Sequence, residues 1–127
     1  MLGIEFVALG PGHAELRLPL RDELLAPNGY LHAGTVVALA DTACGYGCTA
    51  SLPPGGSGFT TIELKTNFLG TAREGTLECV ATLVHGGRTT QVWDATIRSG
   101  GKTIAVFRCT QLVLYESGDR GRIPLGR

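Results

Sequence analysis

The stretch that decides the fold is residues 27–51, which read PNGYLHAGTVVALADTACGYGCTAS. Turn chemistry opens it, because Pro27 is followed by Asn28 and Gly29, a pair that tolerates positive φ. The run that follows is of helical length and apolar nearly all round, which is typical of a buried helix. Asp41 interrupts this run, and an ionised carboxylate there is costly unless it is paired, hydrogen-bonded or near water. Such a conflict between composition and one charged residue is typical of a functional site.

The apolar run is too short and too broken to cross a membrane. Asp41, Gly45 and Gly47 interrupt it, and a bilayer core needs about 20 mostly apolar residues. Its many small residues would instead let a sheet or a second chain approach closely. Because Gly45 and Gly47 each lower intrinsic helix stability by roughly 1 kcal/mol, we expect tertiary packing to hold the helix in place.

The composition predicts one domain that associates with copies of itself. The chain has 127 residues, of which 11 are basic and 11 acidic, and this balance argues against nucleic-acid binding, which usually brings a basic excess. Charged residues make up 17% of the chain, below the usual share of about one quarter. Extra surface is therefore expected to be buried in a homo-oligomer. No signal peptide is visible, so a cytoplasmic location is expected.

The four cysteines admit two interpretations. Cys44 and Cys48 would share a helix face, as two metal ligands could. No second pair of cysteines or histidines has ligand spacing, which favours buried small hydrophobic residues over a metal site. We therefore expect neither a metal nor a cofactor, and reduced thiols in the cytosol.

The rest of the chain predicts strands joined by short turns. Glycine turns imply antiparallel neighbours, and the prolines and glycines of residues 52–58 predict a loop after the helix. Five to six antiparallel strands and one helix make an α+β domain, whose sheet would wrap around the helix. The alternating segments are residues 2–20, which predict a hairpin, and residues 59–69, 77–85, 89–98 and 102–115, which predict one strand each.

Alternation in residues 59–69 also predicts which side chains meet the helix. Strict period two places Thr60, Ile62, Leu64, Thr66 and Phe68 on the helix side, and Phe59, Thr61, Glu63, Lys65 and Asn67 on the other.

The end of the chain is expected to form a flexible C-terminal tail, because residues 117–127 hold glycines, arginines and little apolar material.

Three motifs carry a family resemblance: NGYLHAG at 28–34, ALADTA at 38–43 and TIELKTNFL at 61–69. Together with HGGR at 85–88, they resemble the hotdog-fold acyl-CoA thioesterases, and most of all the branch of the phenylacetate degradation pathway (PaaI-like). This resemblance implies a hotdog domain at residues 1–116, with an antiparallel sheet of five to six strands wrapped around one long central helix. It also implies a homodimer with one continuous sheet, and often a homotetramer.

The resemblance implies the main catalytic roles. Asp41 would be the catalytic carboxylate, acting as a general base for water or as a nucleophile on the thioester carbonyl. The backbone N–H of Ala33 would face the thioester oxygen, since free N–H groups at a helix N-terminus stabilise negative charge. Thr61 would help to hold the nucleophilic water, and in the family this hydroxyl comes from the partner chain. The structural alternative for Asp41 is a buried aspartate satisfied by backbone or by the hydroxyls of Thr42 and Thr61.

Secondary roles follow from the same resemblance. His32 would either polarise the carbonyl or fix the loop by a backbone hydrogen bond. The family often has Asn or Gln at the position that is Ala26 here, and Asn28 is the candidate that could reach the same space. The structural alternative for Asn28 is a turn residue.

Four further residues are candidates for substrate binding. Gly34 follows Ala33 at the start of the helix. Gly86, Gly87 and Arg88 could meet the phosphates of coenzyme A, because backbone N–H groups and a guanidinium suit them. The structural alternative for this segment is an ordinary hairpin turn with one surface arginine.

The resemblance therefore implies an acyl-CoA thioesterase that hydrolyses an aromatic or medium-length acyl-CoA, with coenzyme A present only as part of the substrate. Two alternatives stay open. One is a hotdog dehydratase, which needs a histidine and a carboxylate placed for proton abstraction, and the other is a non-catalytic acyl-CoA-binding module. A Ser-His-Asp hydrolase is not favoured, because no Gly-x-Ser-x-Gly segment occurs.

Overall fold

One helix and six strands make up the fold in a computed structural model that describes residues 2–116. The strands form one antiparallel sheet, which confirms the predicted α+β class and hotdog fold. The elements are β1 (Glu5–Gly10), β2 (His13–Pro19), a 3-10 turn (Asp22–Leu24), α1 (Ala33–Ala50), β3 (Gly56–Phe68), β4 (Thr76–Gly86), β5 (Thr90–Ser99) and β6 (Lys102–Tyr115), and the sheet order is β1-β2-β4-β5-β6-β3.

The predicted tail at residues 117–127 lies outside the described residues. Within residues 2–116, no helix has the length and apolar character needed to span a bilayer.

One side of α1 rests directly on the sheet. The closest approach is at Gly47, where a Cβ atom would lie 2.5 Å from Cη2 of Trp93 on β5. Only glycine lets the helix and the indole come this close. Cys44 and Cys48 are fully buried on the same side, and all four cysteines are free and buried, which confirms the prediction that they act as small core residues.

A short hydrogen-bonded chain fastens the end of α1 to the sheet. The indole N–H of Trp93 donates to Oε1 of Gln91 at 2.7 Å, and Nε2 of Gln91 donates to the carbonyl of Ser51 at 3.0 Å. Ser51 also accepts the backbone N–H of Gly12 on its Oγ at 2.8 Å. The turn between β1 and β2, the end of α1 and strand β5 are thereby held together.

Strand β3 contains a bulge that strict alternation does not predict. Thr61 pairs with Gln111 of β6, whereas Glu63 pairs with Thr110, so that Ile62 is an extra residue in the ladder. A bulge shifts the period by one residue and exchanges the two faces of the strand beyond it.

The predicted directions of the β3 side chains are therefore wrong before the bulge and right after it. Before the bulge, Phe59 and Thr61 face α1, since the ring of Phe59 reaches Gly45 and Thr61 bonds to a fully buried side chain. The prediction that Thr60 and Ile62 cover the helix is wrong in this half. Beyond the bulge, the register places Leu64, Thr66 and Phe68 on the helix side as predicted.

The exposed surfaces of the described chain include one edge of the sheet and one side of α1. Strand β3 lies at the edge of the sheet, and its side chains Ile62, Leu64 and Phe68 are 56%, 44% and 49% exposed. The side of α1 that faces away from the sheet is also uncovered, and Tyr46 there is 46% exposed. The prediction of a helix buried all round is thus right only for the side that meets the sheet.

Candidate active site

The loop before α1 is tied down by hydrogen bonds that fix the start of the helix. The N–H of Leu31 donates to the carbonyl of Ala72 at 3.0 Å, and the N–H of His32 donates to the carbonyl of Leu24 at 3.2 Å. His32 is the N-cap, and its Nδ1 accepts the N–H of Gly34 at 2.9 Å. An accepting Nδ1 places the hydrogen of the neutral ring on Nε2. This contact corresponds to the loop-fixing role among the two that the sequence allows for His32.

The cap leaves the N–H of Ala33 as a free donor. The N–H of Thr35 is bonded to the carbonyl of His32 at 3.0 Å, and that of Gly34 to the His32 ring. For the Ala33 N–H, the described part of the chain provides no partner, and the residue is exposed. The positive end of the helix favours negative charge at this point. Because Gly34 has its N–H engaged, a substrate contact by Gly34 stays a prediction.

Asn28 shapes the loop on the far side of this cap. Its Oδ1 accepts the N–H of Tyr30 at 3.0 Å, and Gly29 between them has a φ of 86°. The guanidinium of Arg73 stacks over the ring of Tyr30 at 4.5 Å. Ala26, at the family's Asn/Gln position, takes part through its backbone, since its N–H donates to the carbonyl of Tyr30 at 2.6 Å. The turn role of Asn28 is visible, and its role as a ligand group stays a prediction.

Asp41 lies midway along the open side of α1, in a cleft of about 400 Å³. Neither hydroxyl that could have satisfied it does so. The hydroxyl of Thr42 donates to the carbonyl of Ala38 at 2.7 Å, and that of Thr61 donates to Oε1 of Gln111 at 2.6 Å. The cleft is lined by Asp41, Thr42, Gly45, Tyr46, Thr49 and Phe59.

The environment of Asp41 makes its carboxylate a better base. Partial burial raises the pKa of Asp41 above its ordinary value of 3.8, because desolvation disfavours the charged form. A carboxylate with a raised pKa binds a proton more strongly when it accepts one from water. The carboxylate is half-buried and still open to the cleft, which is the setting that a general base or a nucleophile requires.

Thr61 lies at about the same height as Asp41 in one chain. Strand β3 runs back along α1, since its residue Phe59 reaches Gly45, one helical turn beyond Asp41, and the loop after β3 is hydrogen-bonded to the loop before α1. The step from Phe59 to Thr61 covers about 7 Å along a strand, and the step from Gly45 back to Asp41 covers about 6 Å along a helix. Thr61 faces α1, so the two side chains lie on facing elements. The resemblance implies a Thr61 from the partner chain, whereas this height match concerns the Thr61 of the same chain.

The N–H of Ala33 and the carboxylate of Asp41 are far apart in one chain. Asp41 is eight residues after Ala33 on one straight element, which corresponds to about 12 Å along the helix axis. A thioester carbonyl and the water that attacks it need donors and acceptors within about 3.5 Å. Ala33 and Asp41 of one chain are therefore too far apart to contact one common atom.

The turn between β4 and β5 lies near the other end of α1. Gln91, which follows it, bonds to Ser51 at the helix C-terminus, and the 18 residues of α1 span about 27 Å. The N–H of Gly87 is used within the turn by the carbonyl of Thr90 at 2.8 Å. The carbonyl of Arg88 accepts the hydroxyl of Tyr115, and the Arg88 side chain is exposed. Within one chain, Gly86, Gly87 and Arg88 are not brought together with Ala33.

The structure adds residues that the sequence reading did not single out. Phe59 and Tyr46 line the Asp41 cleft, and the ring of Tyr46 meets Phe6 of β1 edge-on at a centroid distance of 4.8 Å. Gln111 holds the hydroxyl of Thr61. Tyr46 is five residues after Asp41, about 140° round the helix, so helical spacing does not predict that the two share a cleft. Phe59 and Gln111 enter through strand pairing and leave no local trace.

Comparison with known proteins gives a consistent picture. The family described as Thioesterase superfamily matches residues 28–106. A 1,4-dihydroxy-2-naphthoyl-CoA hydrolase of Listeria monocytogenes is 34% identical over 110 residues, which cover 86% of this chain and 89% of the relative. The acyl-coenzyme A thioesterase PaaI of Escherichia coli is 32% identical over 109 residues, covering 84% and 75%.

A solved structure of similar fold carries a ligand. The Streptococcus mutans protein smu.793, determined bound to acetyl CoA, has a TM-score of 0.82 at 26% sequence identity, covering 89% of this chain and 90% of that chain. The described part of the chain thus combines a six-stranded sheet and a long helix that carries Asp41, and its relatives include proteins named for thioester hydrolysis.

Proposed function

The chain belongs to the thioesterase superfamily, and from that premise we propose that it hydrolyses the thioester of an acyl-CoA to a free acid and coenzyme A. The single observation that carries the proposal is Asp41, a carboxylate with a raised pKa in an open cleft. Asp41 acts on the thioester as a general base for water or as a nucleophile. The relatives named for acyl-CoA hydrolysis support the substrate class.

We further propose that the active site forms between two copies of the chain. The separation of Ala33 and Asp41 along α1 supports this, since the two groups of one chain cannot contact one common atom of a substrate. Asp41 and Thr61 of one copy would then hold the water, and the N–H of Ala33 in the other copy would stabilise the developing oxyanion. The open side of α1 provides the surface on which the second copy lies.

The exposed edge of β3 is the proposed seam of this dimer. A free strand edge with apolar side chains invites pairing with another strand. Ile62, Leu64 and Phe68 are about half-exposed there, and pairing of β3 with its symmetry mate would extend the sheet and cover them. A two-fold arrangement of this kind is isologous and closes on itself.

The substrate itself would extend over both copies. We propose an aromatic acyl group in the cleft beside Tyr46 and Phe59, supported by the naphthoyl-CoA substrate in one relative's name. Gly86, Gly87 and Arg88 would meet the coenzyme A phosphates from a neighbouring copy. No cofactor is proposed, and the four free thiols are consistent with a proposed cytoplasmic location.

Thiol release from a panel of acyl-CoAs tests the reaction. The panel contains aromatic, medium-chain and acetyl thioesters, and the aromatic members are expected to be hydrolysed fastest. A crotonyl-CoA hydration assay run in parallel addresses the dehydratase alternative, and binding measured by calorimetry addresses the non-catalytic module. Binding without release of thiol from any panel member would contradict the proposal.

Mixed dimers test the composite site. Ala33→Pro removes the N–H at the first helical position, where proline is well tolerated, and His32 before it already has the extended backbone (φ −72°, ψ 132°) that proline requires. Ala33→Pro alone is expected to lower kcat by about 10²–10³-fold, and Ala33→Gly, which keeps the N–H, is the control.

Mixing Ala33→Pro chains with Asp41→Asn chains should restore activity. In a dimer with one chain of each kind, one of the two composite sites is wild type, so random mixing gives about one quarter of the wild-type rate. If Ala33 and Asp41 of the same chain acted together, every site would carry a defect and mixing would restore nothing.

A further inference from the structure

Two glutamines face each other on neighbouring strands and differ in how they are satisfied. Gln91 of β5 pairs with Gln111 of β6, and they are 1% and 0% exposed. The amide of Gln91 is bonded at both ends, to Trp93 and to Ser51. The amide of Gln111 accepts the hydroxyl of Thr61 on Oε1, and no residue that the structure describes accepts from its Nε2.

The unpaired amide nitrogen of Gln111 carries a cost. A buried donor without a partner lowers stability by about 1–3 kcal/mol. The neighbouring residues on the same face of β6, Cys109 and Val113, are buried and apolar, so an apolar side chain would suit the position and avoid this cost. A buried polar side chain with an unpaired donor suggests a role beyond packing. The hydrogen bond that the Gln111 amide does make is to the hydroxyl of Thr61.

We propose that Gln111 is a positioning residue that makes the Thr61 hydroxyl a hydrogen-bond acceptor for the water that attacks the thioester. The proposal rests on the proposed function and deepens it. A hydroxyl has one hydrogen and two lone pairs. Because Oε1 of Gln111 holds the hydrogen of Thr61 at 2.6 Å, Thr61 can offer only lone pairs to a water molecule bound beside it.

This constraint orients the water. An attacking water must direct a lone pair at the carbonyl carbon, so both of its hydrogens must be accepted by other groups. Asp41 accepts one hydrogen and takes that proton as the new C–O bond forms. Thr61 accepts the other hydrogen, which stays on the water oxygen. The C–S bond then breaks, its electron pair leaves with the sulfur, and the proton on Asp41 passes to that thiolate, so that acid and thiol are released.

The attacking water is needed whichever way Asp41 acts. If Asp41 is the nucleophile, its carboxylate forms a C–O bond to the acyl carbon as the C–S bond breaks and the thiolate leaves. The water then attacks the acyl carbon, the bond to Asp41 breaks, and the departing Asp41 carboxylate takes the water's proton and passes it to the thiolate. A Thr61 hydroxyl free to rotate would donate its hydrogen to the water for part of the time, and the water would then point a hydrogen at the carbonyl carbon. Fixing the hydroxyl removes this unproductive orientation.

The test is a double-mutant cycle on the 127-residue chain. Gln111→Met, of similar size and without an acceptor amide, is expected to lower kcat for the best acyl-CoA about tenfold, with KM within about twofold. In a Thr61→Val background, Gln111→Met is expected to have no further effect on kcat, because there is no hydroxyl left to hold. An equal loss of kcat in both backgrounds would overturn the proposal.

Conservative variants separate positioning from packing. Gln111→Glu keeps an acceptor oxygen and loses only the unpartnered NH₂, so kcat is expected within about threefold of wild type. A loss of kcat in Gln111→Glu as large as that in Gln111→Met would overturn the proposal, because the acceptor oxygen is still present. If Gln111→Met does not fold, Gln111→Asn withdraws the acceptor by one methylene, and the same loss of kcat is expected.

Gln91→Met is the matched control. It removes an equally buried glutamine from the facing position, and it is expected to lower the melting temperature while leaving kcat unchanged. Asp41→Asn separates this proposal from the proposed function: if it is inactive while Gln111→Met is fully active, only the positioning role fails. If Asp41→Asn retains wild-type kcat, the proposed function fails as well.

Discussion

The two sides of α1 are built for different purposes. On the side facing the sheet, Gly47 brings the backbone against Trp93, and the side chains are buried and apolar apart from Thr35, whose hydroxyl donates to a backbone carbonyl. On the open side, Asp41 has an uncompensated desolvation cost and lies in a cleft. The packing contacts lie on one side of the helix and the proposed catalytic carboxylate lies on the other. Substitutions on the two sides should therefore change different measurements.

The largest expected effect comes from the open side. Asp41→Asn should lower kcat by about 10²–10⁴-fold, because the amide cannot take a proton from water or attack a carbonyl. Its melting temperature should be equal to or above that of wild type, since a desolvated charge is removed. Asp94→Asn is the control, because Asp94 is paired with Arg108 at 2.5 and 2.8 Å away from the cleft. Activity retained in Asp41→Asn would remove the contrast between the two sides.

Two glycines one half-turn apart give the next largest effect. Gly47→Ala would place a Cβ 2.5 Å from Trp93 and should lower the free energy of unfolding by about 1–3 kcal/mol, despite the better helix propensity of alanine. In Gly45→Ala the added Cβ would contact only the ring of Phe59, at 3.1 Å, so the free energy of unfolding should lie within about 1 kcal/mol of wild type. The Cβ also narrows the cleft, so kcat/KM should fall. Urea denaturation of both variants measures this, and equal destabilisation would break the comparison.

The helix cap gives a smaller effect. His32→Ala should lower the free energy of unfolding by about 1 kcal/mol, because the N–H of Gly34 loses its acceptor. His32→Asn supplies another capping side chain and should restore stability. Activity restored along with stability would identify His32 as a cap. Stability restored without kcat would instead indicate that the His32 ring acts on the substrate carbonyl.

The smallest effect is a pH dependence of stability. The pKa of Asp41 in the folded chain is raised above its ordinary value of 3.8. In the pH window between the unfolded-state pKa and the higher folded-state pKa, the folded state binds more protons than the unfolded state, so stability falls as pH rises. The melting temperature of Asp41→Asn should therefore match wild type at low pH and exceed it progressively as pH rises through this window. In the wild type, kcat/KM should fall as pH drops through the same window. Thermal melts and initial rates across pH measure both, and a melting-temperature difference that shrinks with rising pH would contradict the sign.

Sequence patterns predict the elements of this fold better than the contacts between them. The helix start at Ala33 and strand β6 at residues 102–115 coincide with the prediction, because periodicity and turn residues are local signals. Strand β3 begins at Gly56, before the predicted residue 59, because pairing with the end of β6 outweighs the glycines of the loop. Local composition carries no information about such a pairing.

In the candidate site, too, the sequence predicts individual residues better than the contacts between them. Asp41 and Ala33 stand out in the sequence, one as a charge in an apolar run and the other at a helix start. The inward direction of Thr61 depends on a bulge, and its partner Gln111 comes from 50 residues away in the chain. Neither fact has a periodic signature. The sequence alone therefore identifies Asp41 as unusual, but it does not predict that Thr61 faces the helix or that Gln111 bonds to Thr61.

The bulge at Ile62 has a consequence for how such a chain can diverge. It adds one residue between the half of β3 that reaches the cleft and the half that forms the exposed edge. Removing that residue would turn either Thr61 or the side chains of Leu64 and Phe68 to the opposite face. Point substitutions can accumulate along β3 one at a time, whereas a single-residue deletion changes the seam and the active site together. Descendants of this chain should therefore vary in the composition of β3 while keeping its length.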